Sequence, residues 1–212
     1  MIRLTVAADL GPIVRVGAVW ISGAANDEGN EAVGTALAAA ESAVRRQPPP
    51  EGQAVRAMYR RIGLDPTRTR PSSEALLRRV RRGDSLPRIS PLVDVCNWCS
   101  LESQLPYGLY DLARIHPPID LRLGRPGEEY PGIRKDVVHV AGRMTLADQA
   151  GPFGNPTSDS ARTQVTPQTT EVLCIVFAPR ETSPERLESV LASTSARMTR
   201  FAGGVERSRS VI

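Results

Sequence analysis

The chain has 212 residues, of which 41% are hydrophobic and 24% are charged, a balance typical of a folded protein rather than a disordered one. No apolar run approaches the roughly 18 residues of a membrane span, and the first residues lack the basic and apolar regions of a secretory signal. Three cysteines cannot all pair within one chain, which favours a reducing compartment. We therefore expect a single domain over residues 1–212, with no membrane segment, in the cytoplasm.

In chain order, hydrophobic periodicity predicts two strands, at 2–6 and 13–21. Four helices follow, at 26–46, 53–62, 72–82 and 89–103. Four short strands and a last helix follow, at 119–123, 137–140, 144–147, 172–177 and 183–196. We expect the tail, 203–212, to fray. These elements predict an α+β fold with a mixed or antiparallel sheet flanked by helices.

Basic residues are unevenly distributed, although the net charge is only +4. Lys135 is the single lysine, and ten arginines lie between Arg56 and Arg88 against three acidic residues. Because a guanidinium binds phosphate through two parallel hydrogen bonds, this segment is a candidate face for an anionic partner. A GC-rich genome also produces many arginines, so the content alone shows no function.

The predicted helix at 72–82 carries part of this basic cluster. Leu76, Leu77 and Val80 form its buried stripe, and the arginines lie elsewhere around the helix. Two interpretations stay open. The arginines either complement the helix dipole at a solvated helix end, or they face a nucleic acid.

The cysteines and histidines do not form a metal site in the sequence pattern. Cys96 and Cys99 form a CxxC pair in the middle of a predicted helix, and Cys174, His116 and His139 are not paired at ligand spacing. A redox CxxC would follow a strand at the start of a helix. We therefore predict buried packing thiols and no metal, with His116 in a loop and His139 as a structural residue of an apolar strand.

A polar segment at 151–163 is the first candidate for chemistry. It is bounded by glycine and proline, rich in hydroxyl groups, and holds Asp159 three residues before Arg162. One acid, one guanidinium and main-chain N–H groups are suited to orient an amino acid or a developing oxyanion. The alternative is a long hairpin loop that satisfies its own hydrogen bonds. The sequence contains no GxSxG, P-loop or GxGxxG motif.

Several motifs occur in a characteristic order: Tyr-Arg through Gly-Leu-Asp-Pro at 59–66, RPSSEAL at 70–76, LVDVCN at 92–97, LPYGLYD at 105–111, Gly-Glu at 127–128, Leu-Ala-Asp at 146–148, and the segments 151–163 and 170–177. Together they resemble the B3/B4 domain of the bacterial phenylalanyl-tRNA synthetase β chain, in its free-standing form. In the synthetase this domain is an editing module that hydrolyses the ester of a wrongly attached amino acid on the tRNA 3′ end. The resemblance implies an aminoacyl-tRNA partner and no cofactor.

Two departures from the family pattern affect the expected specificity. Gly108 stands where the synthetase module has a histidine. Ile175, or alternatively Cys174, stands where the module has a glutamate that recognises the tyrosine hydroxyl. Since a buried hydroxyl without a partner costs about 1–3 kcal/mol, we do not expect a preference for tyrosine.

We expect the chain to bind an aminoacyl-tRNA and to hydrolyse the ester of a mischarged one in trans, with water as the nucleophile. Asp159 would hold the substrate amino group, and Arg162 or main-chain amides of the loop would support the oxyanion, with Thr163 as the third catalytic candidate. The expected substrate-binding residues are Asn97, Tyr110, Asp111, Gly154, Asn155 and Ser158. The expected tRNA contacts are Arg70, Arg78, Arg81 and Arg82.

Two other functions fit the same sequence. An amine in place of water would make the protein an aminoacyl-tRNA-dependent aminoacyltransferase that modifies a small molecule. A non-catalytic module that binds RNA or an amino acid is supported by the absent histidine and glutamate. Aminoacylation itself is excluded, because the chain has no room for a synthetase catalytic domain beside this fold.

Overall fold

A computed structural model describes residues 2–27, 31–50, 52–134 and 136–212. The helices are α1 (Glu31–Arg46), α2 (Gln53–Arg61), α3 (Ser72–Arg81), α4 (Pro91–Ser103) and α5 (Pro184–Ala202). The strands are β1 (Leu4–Val6), β2 (Val14–Ser22), β3 (Tyr107–Asp111), β4 (Ile119–Leu123), β5 (Glu129–Pro131), β6 (Val137–His139), β7 (Met144–Asp148), β8 (Gly151–Gly154), β9 (Glu171–Pro179) and β10 (Val205–Val211). The α+β class is confirmed.

The main sheet is antiparallel and has the strand order β10-β2-β9-β3. Strand β9 is buried from Val172 to Ala178, which explains its continuous apolar sequence. Helix α5 packs closely on β2, because a Cβ atom on Gly17 would lie 2.6 Å from a methyl carbon of Leu191. Glycine at this position therefore sets the distance between the helix and the sheet.

A second sheet has the order β1-β4-β7-β8 and is mixed. Its β1–β4 pair is parallel, whereas the β4–β7 and β7–β8 pairs are antiparallel. Strands β5 and β6 form a separate antiparallel pair.

Helix α4 lies at the centre of the helical part and packs against α1, α3, α5 and β3. The buried carboxylate of Asp94 accepts hydrogen bonds from the Ile89 N–H at 2.8 Å and from Arg88 Nε at 2.6 Å. These bonds fix the segment that precedes the helix, and thereby place Ile89 beside the β3 edge of the main sheet.

Several expectations about secondary structure are wrong in part. Strands β3 and β5 were not predicted, and the start of the predicted polar loop forms β8. The predicted frayed tail forms β10, which pairs with β2, and α5 continues six residues beyond the expected 196 to Ala202. The predicted helix at 26–46 includes residues 28–30, which lie outside the described part of the chain.

The three cysteines are free and buried, which confirms the prediction of packing thiols. Burial raises the pKa of the Cys99 thiol to about 11, so this thiol stays protonated at neutral pH. Within the described ranges, no cluster of three or more His, Cys, Asp or Glu side chains is placed to hold a metal ion. Nor does any helix there have the length and apolar character needed to cross a bilayer.

Candidate functional site

A cavity of about 350 Å³ lies between α4, the edge strand β3 and the segment 159–165. Its walls are largely apolar and include Val93, Leu109 and Val165. Polar side chains line the rest: Asn97, Arg134, Asp159 and Gln164. The structure thus brings Asn97 and Asp159, two predicted site residues 62 positions apart in sequence, to one cavity. An apolar pocket with a few polar groups is the usual form of a small-molecule site.

Tyr110 holds the Asp159 carboxylate in place. Its Oη donates a hydrogen bond to Asp159 Oδ1 at 2.7 Å, and its ring packs edge-on against Phe153 at 5.1 Å. Burial, and then the neighbouring Asp159 carboxylate, raise the pKa of the Tyr110 phenol well above its ordinary value. The phenol therefore remains a neutral donor, and Asp159 has a fixed orientation at the cavity wall.

Tyr110 fits because two glycines face it. A Cβ atom on Gly108 would lie 2.2 Å from Tyr110 Oη, and one on Gly154 would lie 2.3 Å from it. No side chain at either position is compatible with this placement of the tyrosine. Tyr110 therefore fills the space above Gly108, the position at which the resemblance implies a histidine. The cross-strand partner of Gly108 is Ile175, which is fully buried and apolar.

Asn155 and Ser158 build the loop that carries Asp159. Asn155 Oδ1 accepts the N–H groups of Thr157 and Ser158 at 2.8 and 2.9 Å, and Asn155 Nδ2 donates to Tyr130 Oη at 2.9 Å. Tyr130 Oη in turn donates to the Ser158 carbonyl at 2.6 Å. Asn155 and Ser158, which were predicted to bind substrate, thus contribute polar groups to the loop. Neither is among the described residues that line the cavity.

Arg162 is engaged away from the cavity. Its guanidinium forms two hydrogen bonds to the Asp148 carboxylate, at 2.9 and 3.0 Å, and the Asp148 side chain has no exposed surface. Thr163 is fully buried, with its hydroxyl 3.5 Å from the Phe153 carbonyl. Asp111 is also buried and accepts a hydrogen bond from Thr169 Oγ1 at 2.8 Å. The structure does not bring these three predicted residues into the described lining of the cavity.

Comparison with known proteins gives the family. The model of the B3/4 domain matches residues 54–211 of the chain. The chain belongs to the B3/4 domain family. No curated protein matches it.

The fold of this B3/4 domain protein is similar to a solved structure, an N-terminal fragment of the phenylalanyl-tRNA synthetase β-subunit from Pyrococcus horikoshii. The TM-score is 0.51 and the sequence identity is 14%. The similarity covers 99% of this chain and 50% of the fragment, so the chain spans about half the length of that relative. At this identity the likeness shows the fold alone.

The four arginines predicted to contact tRNA lie on or beside α3, and all four are exposed. Arg78 and Arg81 line a second cavity, of about 280 Å³, between α2 and α3. Arg70 pairs with Glu74 at 3.3 Å, and Arg82 is the C-cap of the helix. The arginines of the B3/4 domain thus form an accessible basic surface, the arginine face, defined by Arg70, Arg78, Arg81 and Arg82.

The sequence pattern missed two polar residues of the main cavity, Arg134 and Gln164. Arg134 has a left-handed backbone conformation, with φ 51°. Arginine rarely adopts this conformation, so the sequence does not predict it here. Gln164 forms an isolated bridge with Tyr110, beside the unpredicted strand β3. The prediction for His139 was wrong in its environment, because its side chain is exposed and lies 2.9 Å from Glu129 Oε2.

Proposed function

We propose that this B3/4 domain protein binds an aminoacyl-tRNA and hydrolyses the ester of a mischarged one in trans. The observation that carries the proposal is the oriented carboxylate of Asp159 at the wall of a largely apolar cavity. A carboxylate in this setting is suited to bind the α-ammonium group of an amino acid, since charge-assisted hydrogen bonds are roughly twice as strong as neutral ones. The apolar walls would receive the amino-acid side chain.

The remaining polar groups suit the ester end of such a substrate. With the ammonium group on Asp159, the side-chain amides of Asn97 and Gln164 and the guanidinium of Arg134 are the nearby donors for the carbonyl oxygen. Water attacks the carbonyl carbon, the ester C–O bond breaks, and the ribose hydroxyl of the tRNA leaves with a proton. In this proposal Arg134 takes the oxyanion role that the sequence analysis gave to Arg162 or to main-chain amides of the loop.

The walls of the cavity also bear on the choice of amino acid. Val93, Leu109 and Val165 are apolar, and Tyr107 Oη is already hydrogen-bonded to Thr194 Oγ1 at 3.0 Å. A neutral, apolar side chain leaves no polar group buried without a partner on these walls. We therefore propose a small or medium apolar amino acid rather than tyrosine.

The test is release of labelled amino acid from a panel of charged and mischarged tRNAs. We expect turnover of one or a few substrates, and a loss of about tenfold to 150-fold in kcat/KM for Asp159→Asn, which corresponds to a charge-assisted hydrogen bond of about 1.5–3 kcal/mol. Asp84→Asn, an exposed acid beyond α3, is the matched control and should keep wild-type rates. Equal rates for Asp159→Asn and wild type would refute the assigned role of Asp159.

A second candidate function is binding without turnover. It is favoured by Tyr110, which fills the space above Gly108 where the resemblance implies a histidine. Gel-shift binding of charged tRNA with no release across the panel would support it. Release that requires an added small amine would instead indicate an aminoacyltransferase.

A further inference from the structure

The second cavity, between α2 and α3, has a composition different from that of the main cavity. Among the described residues that line it, three carry guanidinium groups, Arg56, Arg78 and Arg81, and one carries a carboxylate, Glu74. Leu77, which is buried, forms part of its wall. We call this feature the arginine cleft.

Glu74 connects the two helices of the arginine cleft. Its Oε2 accepts a hydrogen bond from Arg56 Nη1 at 2.7 Å, and its Oε1 lies 3.3 Å from Arg70 Nε. The carboxylate thus contacts two guanidinium groups and holds Arg56 at the wall of the cleft. Arg78 and Arg81 follow Glu74 by four and seven residues, so all three lie on one face of α3.

This arrangement fits a tetrahedral oxyanion. Guanidinium groups from two helices converge on a space of about 280 Å³, which admits a phosphate group together with part of the molecule that carries it. Guanidinium binds phosphate oxygens through paired hydrogen bonds, and the cleft presents guanidinium groups from both helices.

We propose that the arginine cleft binds a backbone phosphate of RNA, at a subsite separate from the aminoacyl cavity, with Arg56 and Arg78 as its main contacts. The inference rests on the proposed function for the choice of RNA as the source of the phosphate.

Helix α4 relates the two sites, since Asn97 lines the main cavity and Gln104 lines the arginine cleft. At 1.5 Å per residue these positions are about 10 Å apart along the helix, a span of about three stacked nucleotides. A strand whose 3′ end enters the main cavity would thus place an inner phosphate at the cleft.

The experiment measures the affinity of uncharged tRNA as a function of salt concentration, for the wild type, Arg56→Gln, Arg78→Gln and Arg143→Gln. Each phosphate contact contributes about 0.7–0.9 to the slope of log K against log salt. We expect both cleft variants to reduce the slope by about this amount, and Arg78→Lys to retain it because the charge is kept. Arg143 is exposed and lies between β6 and β7, so its variant controls for the loss of one positive charge and should keep the wild-type slope.

Binding of inorganic pyrophosphate to the same four proteins identifies the source of the phosphate. An unchanged tRNA slope, together with pyrophosphate binding that only the cleft variants lose, would overturn the assignment to RNA and leave a small phosphorylated compound as the ligand. No effect of either cleft variant on tRNA or pyrophosphate would overturn the phosphate site altogether. Uncharged tRNA carries no aminoacyl ester, so these outcomes are independent of whether the protein hydrolyses one.

Discussion

Replacing Tyr110 with phenylalanine removes a single hydroxyl group and keeps a fully buried ring in place. The lost interaction is the hydrogen bond from Tyr110 Oη to Asp159 Oδ1, at 2.7 Å. A hydrogen bond to a charged group contributes about 1.5–3 kcal/mol to stability. We therefore expect Tyr110→Phe to lower the free energy of unfolding by about that amount.

Strand β3 offers a matched control in Tyr107. This tyrosine is also buried, but its Oη meets a neutral partner, Thr194 Oγ1, at 3.0 Å. Tyr107→Phe should therefore cost only about 0.5–1.5 kcal/mol. The assay is equilibrium unfolding in urea with linear extrapolation, together with a double-mutant cycle between Tyr110→Phe and Asp159→Asn. If Tyr110→Phe costs no more than Tyr107→Phe, or if the cycle gives no coupling energy, the oriented carboxylate is refuted.

Three further predictions concern the scaffold. Arg162→Gln should lower the free energy of unfolding by about 1–3 kcal/mol, because it removes the guanidinium partner of the buried Asp148 carboxylate; unchanged stability in urea would contradict this. The hydrogen bond from Arg122 lowers the pKa of Glu128 below its ordinary value of 4.5. The ionised carboxylate therefore stabilises the fold fully above about pH 4.5, and this stabilisation is lost as the pH falls through the lower pKa of the folded state. Glu128→Gln should therefore destabilise the protein at about pH 7 and much less at about pH 2.5, and equal effects at both pH values would count against the pairing. Deleting 205–212 removes β10 and should abolish a cooperative thermal transition followed by circular dichroism; a deletion that melts like the full chain would show that the strand is dispensable.

The fold could be predicted where one physical pattern dominated a segment. Strand β4 has the predicted bounds of 119–123, and the predicted 172–177 lies within β9, because both segments combine apolar residues with a clear turn on each side. Strand β10 was missed since its sequence, VERSRSV, belongs to a polar edge strand whose stability comes from pairing with β2. Pairing between distant strands is not encoded in local periodicity.

The candidate site divides in a similar way. Local chemistry was enough to single out Asp159, which lies in a segment rich in hydroxyl groups. It could not show that Arg162 pairs with Asp148, because a sequence does not reveal which acid in a strand meets which guanidinium in a distant turn. Nor could it place Arg134, whose position in the cavity depends on the backbone of a turn.

The pairing of β2 also has a consequence for biosynthesis. This strand comprises Val14–Ser22, yet its two neighbours in the sheet are Glu171–Pro179 and Val205–Val211. During translation its apolar side chains emerge from the ribosome about 150 residues before the first neighbour exists. Contacts of such long sequence separation form slowly, and an exposed β-strand is prone to aggregation meanwhile. We therefore expect the yield of folded protein to rise when this segment is shielded until β9 and β10 have been made.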